Sequence, residues 1–89
     1  MKVVWKISLE IEDKQEIELP VGAKILCVNT QCRYPYLWVE VDKEQTEKEK
    51  RTIYIIRTGE DFEGGKHYIG SVKVAEGLIF HFYEDEKLD

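Results

Sequence analysis

Tyr36-Leu37-Trp38-Val39-Glu40-Val41 alternates without a break, Leu37, Val39 and Val41 on one side and Tyr36, Trp38 and Glu40 on the other. A period of two is that of a β-strand with two unlike faces. Earlier in the chain, Lys24 to Gln31 carries Ile25, Leu26, Cys27 and Val28 in succession, which predicts a strand covered on both faces. Trp5, Ile7, Leu9 and Ile11 alternate with Lys6, Ser8, Glu10 and Glu12, and the alternation resumes from Glu16 to Leu19 until Pro20 ends it. With the polar break at Asp13-Lys14, these two segments read as an N-terminal hairpin.

Downstream, residues 42 to 50 (DKEQTEKEK) hold no apolar residue and predict a solvated hairpin loop. Strands are expected at Thr52 to Arg57, His67 to Val74 and Leu78 to Tyr83. Gly70 predicts a bulge or a close backbone approach in the second of these, and Phe62 stands alone between two turns. From Glu84 onward the chain reads as an acidic, frayed end. The domain is expected to span 1–84, with a flexible tail over 85–89. Seven short strands separated by turns predict an all-β, mainly antiparallel sandwich or small barrel.

At 89 residues there is room for one domain, and 43% hydrophobic content is enough to fold it. So small a chain buries a modest share of its surface, and a homo-oligomer is expected to share the burden. The net charge of −5, with 13 basic residues interleaved among 18 acids, argues against general nucleic-acid binding. No leader and no membrane-spanning apolar run is visible, so a cytoplasmic location without membrane attachment is expected. Cys27 and Cys32 are expected to be free thiols.

Chemistry has few footholds. Cys27, Cys32, His67 and His81 lack the close paired spacing of a structural zinc site, so no metal and no cofactor is expected. Ser8 and Ser71 lie inside strands and away from any nucleophile turn, and nothing favours pairing Cys32 with His81. The glycines Gly59, Gly64 and Gly65 belong to turns and lack the strand-to-helix context of a phosphate loop. The expectation is therefore a protein without enzymatic activity. Arg33, Tyr34, Tyr36, Trp38, Arg57 and His81 form the candidate binding set, since aromatic planes and guanidinium groups suit a stacked ring or a protein hot spot. Against this, Tyr36 and Trp38 also suit plain coverage of a second sheet face.

The chain resembles a family of small bacteriophage and prophage proteins of unknown function. The residues that carry the resemblance are Trp5-Lys6, Leu9-Glu10-Ile11, Ile17-Glu18-Leu19-Pro20, Gly22-Ala23-Lys24-Ile25-Leu26, Leu37-Trp38, Lys50-Arg51-Thr52-Ile53, Thr58-Gly59, Tyr68-Ile69-Gly70-Ser71-Val72 and Phe80-His81-Phe82-Tyr83-Glu84. It is a whole-domain pattern without a catalytic signature. It implies a small accessory binding protein in a host bacterial cell, acting as a counter-defence factor on a host protein or sequestering a nucleotide-like ligand. The alternative is a structural or assembly protein that homo-oligomerises.

Overall fold

The apolar side of the Tyr36–Val41 alternation is buried completely, with Leu37, Val39 and Val41 inaccessible to solvent. A computed structural model describes residues 1–75 and 77–86. Its strands are β1 (Lys2–Ser8), β2 (Lys14–Pro20), β3 (Lys24–Gln31), β4 (Tyr34–Asp42), β5 (Lys48–Arg57), β6 (Lys66–Ala75) and β7 (Leu78–Asp85). All pairings are antiparallel and form two sheets, β1-β4-β3 and β2-β5-β7-β6. The sheets stack into a slab of 41 × 31 × 16 Å whose short axis is that of a two-layer sandwich. β1, β3, β2 and β6 are sheet edges, so the sandwich is not closed into a barrel.

The middle layer follows from the alternation. Leu37, Val39 and Val41 of β4 face Ile53 and Ile55 of β5 and Phe80 and Phe82 of β7, with Leu9, Leu19, Val28, Val72 and Val74 closing the core. Where β3 meets β6, a Cβ added to Gly70 would stand 3.0 Å from Val28 Cγ1, so the glycine permits the close approach its place in the strand suggested. The ladder also shifts register between Tyr68 and Gly70, placing the expected bulge there.

Three sequence expectations change. First, β1 and β2 lie in different sheets and form no hairpin. Leu9 turns into the core, its N–H donating to Pro35 O at 3.1 Å. The Gln15 side chain then holds the Glu10 backbone at both its N–H and its carbonyl. Alternation reveals which face is buried but not which strand is the neighbour. Second, β3 has a single covered face. A register shift between Ile25 and Cys27 inserts an extra residue, so a consecutive apolar run arises without double burial. Leu26 and Cys27 are exposed, and only Ile25 and Val28 of that run face inward. Third, residues 43–47 connect one sheet to the other instead of closing a hairpin, and β5 begins at Lys48. Its charged start pairs with β2, setting Lys50 opposite Glu18.

Glu84 is also no frayed end. It is buried on the inner side of β7 beside Arg51 of β5. Arg51 Nε and Nη2 both donate to the Glu84 carboxylate, the second at 3.0 Å, and Nη1 donates to Ala23 O at 2.9 Å. The bond with Glu84 raises the Arg51 guanidinium pKa above its ordinary value, against the burial that lowers it. β7 takes in Asp85, and residues 87–89 of the expected tail lie outside the described residues.

The β3–β4 hairpin turns on Cys32 and Arg33, with φ of 50° and 70°. A two-residue loop with both residues left-handed is a type I′ turn, which favours Asn-Gly. Each L-residue there costs about 1–2 kcal/mol, of which glycine's greater freedom when unfolded returns roughly 0.5–1. Arg33→Gly is therefore expected to raise stability by about 0.5–1 kcal/mol, seen as a thermal midpoint higher by about 4 °C. An unchanged or lowered midpoint would contradict the turn assignment.

Candidate functional site

The six sequence candidates fall into two groups. Arg33 and Tyr34 sit at the tip of the β3–β4 hairpin, where Tyr34 is 60% exposed. Tyr36 and Trp38 lie on the outer face of the three-stranded sheet, half-buried, with their rings edge-to-face at 6.3 Å. Lys6 covers Tyr36 at 4.7 Å and donates to Gln31 at 2.7 Å. These aromatics cover a second sheet face, as their alternation allowed, and none contributes to the buried core.

Arg57 and His81 belong to the other sheet and line one depression of about 210 Å³. β5 and β6 flank β7 and both run antiparallel to it, so the segment joining them, residues 58–65, must pass over β7 from its Phe80 end to its Asp85 end. It carries Phe62 onto Tyr83, ring centroids 5.0 Å apart, and Tyr83 in turn meets Tyr68 at 5.2 Å. The depression lies beneath this segment, with Ile56, Thr58, Gly59 and Glu60 completing its lining. Gly59, at φ 87°, makes the bend that starts the crossing.

A string of hydrogen bonds runs along the same face. Tyr68 OH meets Ser71 Oγ at 2.6 Å, Ser71 Oγ meets His81 Nδ1 at 2.6 Å, and Thr58 Oγ1 meets His81 Nε2 at 2.8 Å. Cross-strand pairing explains the placement, because Ser71 is the direct partner of His81 in the β6–β7 ladder. His81 thus stands between two hydroxyls, one on each ring nitrogen. Its bond to Thr58 ties the root of the crossing segment to the sheet.

Charge around the depression is acidic. Arg57 Nη1 is held by Asp13 at 2.9 Å, and Glu60 accepts the Arg57 N–H at 3.1 Å. The bond Arg57 donates to Asp13 raises the Arg57 pKa. Residues 58–65 add Asp61 and Glu63 and no basic residue. On the neighbouring stretch of the same face, Lys66 and Lys14 stand over the Tyr54 ring at 4.7 and 5.9 Å. Burial, then Asp85, pushes the Tyr54 hydroxyl pKa up.

A second cavity of about 350 Å³ opens between β3 and β6, floored by Arg51 and Glu84 and rimmed by Lys24 and His67. Both charges on its floor are already engaged with one another. Cys27, exposed on the three-stranded sheet, Cys32 in its turn, His67 on β6 and His81 on β7 occupy separate places. Among the described residues no group of three or more His, Cys, Asp and Glu side chains converges as a metal site. No helix of the described residues is long and apolar enough to cross a membrane.

The family assignment covers this whole arrangement. The chain belongs to the DUF7352 family, a domain of unknown function, whose model matches residues 1–89. Comparison with curated proteins and with solved structures finds no match. Both outer faces and the depression therefore lie within one family domain.

Sequence reading missed Thr58, Phe62, Tyr68, Ser71 and Tyr83 as neighbours of His81. Tyr83 shares the odd-numbered side of β7 with His81, a signal present in the alternation. Phe62 gave no such signal, because its partner depends on the strand order. Removing the Thr58 hydroxyl, as in Thr58→Val, is expected to cost about 1 kcal/mol in urea denaturation. Faster amide exchange over residues 58–65 should accompany it, and an unaltered segment would contradict the tethering role.

Proposed function

We propose that this protein is a non-enzymatic binding module that engages a partner protein through the outer face of the four-stranded sheet. The observation carrying this reading is the packing of Phe62 on Tyr83 where residues 58–65 pass over the outer face of β7. It leaves Phe62 and Tyr68, two large ring-bearing side chains, exposed beside a polar string and an acidic segment. Aromatic side chains presented on a rigid sheet and ringed by polar groups resemble the anchors of protein interfaces. In a phage setting the partner would be a host protein, and the module a counter-defence factor working in the cytoplasm.

A sequestered nucleotide-like ligand is the less favoured form of the same idea. Rings could stack on Phe62, but Glu60, Asp61 and Glu63 in the adjoining segment oppose a phosphate. The depression of about 210 Å³ is also smaller than most small-molecule sites, which occupy about 300–1,000 Å³. The assembly reading draws on the edges of β1 and β2, but Lys2 and Lys6 on one and Lys14, Glu16 and Glu18 on the other are the charges that protect edges from pairing.

The test combines light scattering with native mass spectrometry on the purified protein alone, with an arginine-rich peptide, and with an adenine nucleotide. A defined peptide complex that Phe62→Ala and Tyr68→Ala weaken is the expected result. Retention of nucleotide in preference to peptide would replace the protein partner by the sequestering form. Concentration-dependent self-association with neither ligand would favour assembly.

A further inference from the structure

We infer that the depression under residues 58–65 is a seat for one arginine side chain of the partner. This rests on the reading of the sheet face as a docking surface and names the group that face would grip. Three features converge on a guanidinium. Phe62 is 44% exposed and forms an aromatic wall with Tyr83. Arg57 is matched by two carboxylates, Asp13 at 2.9 Å and Glu60 at 3.9 Å, so these three side chains together carry net negative charge. The cavity of about 210 Å³ has the scale of a side-chain head group.

Rings of this fold already receive cations. Lys66 Nζ lies 4.7 Å from the Tyr54 ring centre, and the Arg57 guanidinium lies 5.3 Å from that of Phe80. A cation over an aromatic face is attracted by the ring's quadrupole, more strongly as water is excluded. Arginine suits this place better than lysine. Its planar head stacks on Phe62 while its parallel N–H groups reach the Glu60 carboxylate. Glu60 Oε1 accepts the Arg57 backbone N–H, and a carboxylate has further lone pairs to offer an incoming donor. A phosphate in the same position would meet Glu60 as a like charge.

The experiment follows backbone amide shifts of the full chain during titration with capped arginine, capped citrulline (its uncharged isostere) and adenosine monophosphate. Capped arginine is expected to move the amides of Thr58, Gly59, Phe62, His81 and Tyr83 in a saturable way. Citrulline should bind about tenfold more weakly, as should arginine to Glu60→Gln or Phe62→Ala. Both substituted side chains are on the surface, and unchanged spectral dispersion elsewhere verifies that each variant is folded. Equal shifts with citrulline, or shifts indifferent to both substitutions, overturn the arginine seat. If capped arginine leaves these amides still while an arginine-rich peptide moves others on the sheet face, the seat falls and the docking face stands. If neither moves any amide of the face, both fall, and shifts with the nucleotide alone would transfer the site to a sequestering role.

Discussion

Arg51 and Glu84 tie the larger sheet to the chain segment that enters the smaller one. The two sheets approach each other between β3 and β6 without a ladder bond, and the cavity between those edges has the ion pair as its floor. Arg51 grips Glu84 of β7 with two donors and reaches Ala23 O, at the entry to β3, with a third. One side chain thus links two strands of the larger sheet to the connection that leads into the smaller one. Such a pair carries a large desolvation cost, which its attraction offsets only with good geometry and satisfied donors. Both conditions hold, and no buried side-chain polar atom among the described residues lacks a partner.

With the interior committed to packing and to this pair, the two outer faces are where the protein can meet something else. Each is centred on an inserted strand, β4 between β1 and β3 and β7 between β5 and β6. Insertion of β7 has the larger consequence, because it obliges residues 58–65 to pass over the strand from its Phe80 end to its Asp85 end and lay Phe62 on Tyr83. The depression, its acidic side and its aromatic wall all follow from that strand order. The His81–Thr58 bond then fixes the crossing segment at its root. On the three-stranded face, by contrast, Tyr36 and Trp38 lie edge-to-face and Lys6 covers the Tyr36 ring.

Much of the fold is legible in the sequence because period-two alternation is a local property. Leu37, Val39 and Val41, and Phe80 and Phe82, announce their strands and their buried side. Neighbour choice is not local, which is why β1 and β2 read as a hairpin although the sandwich divides them. The bulge at Leu26 shows a second limit, since an apolar run caused by an inserted residue looks the same as a strand buried on both sides. Arg51 and Glu84 show a third. Each sits among other charges in the chain, and their burial becomes visible only when the β5–β7 ladder sets Glu84 opposite Ile53, two residues from Arg51 on the same face of β5. The candidate site was half legible for the same reason. Arg57 and His81 do share a place, whereas Arg33, Tyr34, Tyr36 and Trp38 belong to the other sheet.

The most direct test of this account is a double-mutant cycle at the buried pair, using chemical denaturation of wild type, Arg51→Met, Glu84→Leu and the double variant. Removing one partner should cost about 3–5 kcal/mol by stranding the other charge, enough to unfold much of so small a domain. The double variant, with both charges gone, should recover most of that loss and show strong coupling between the two positions. Additive costs, or single variants as stable as wild type, would contradict the claim that the fold depends on this buried pair.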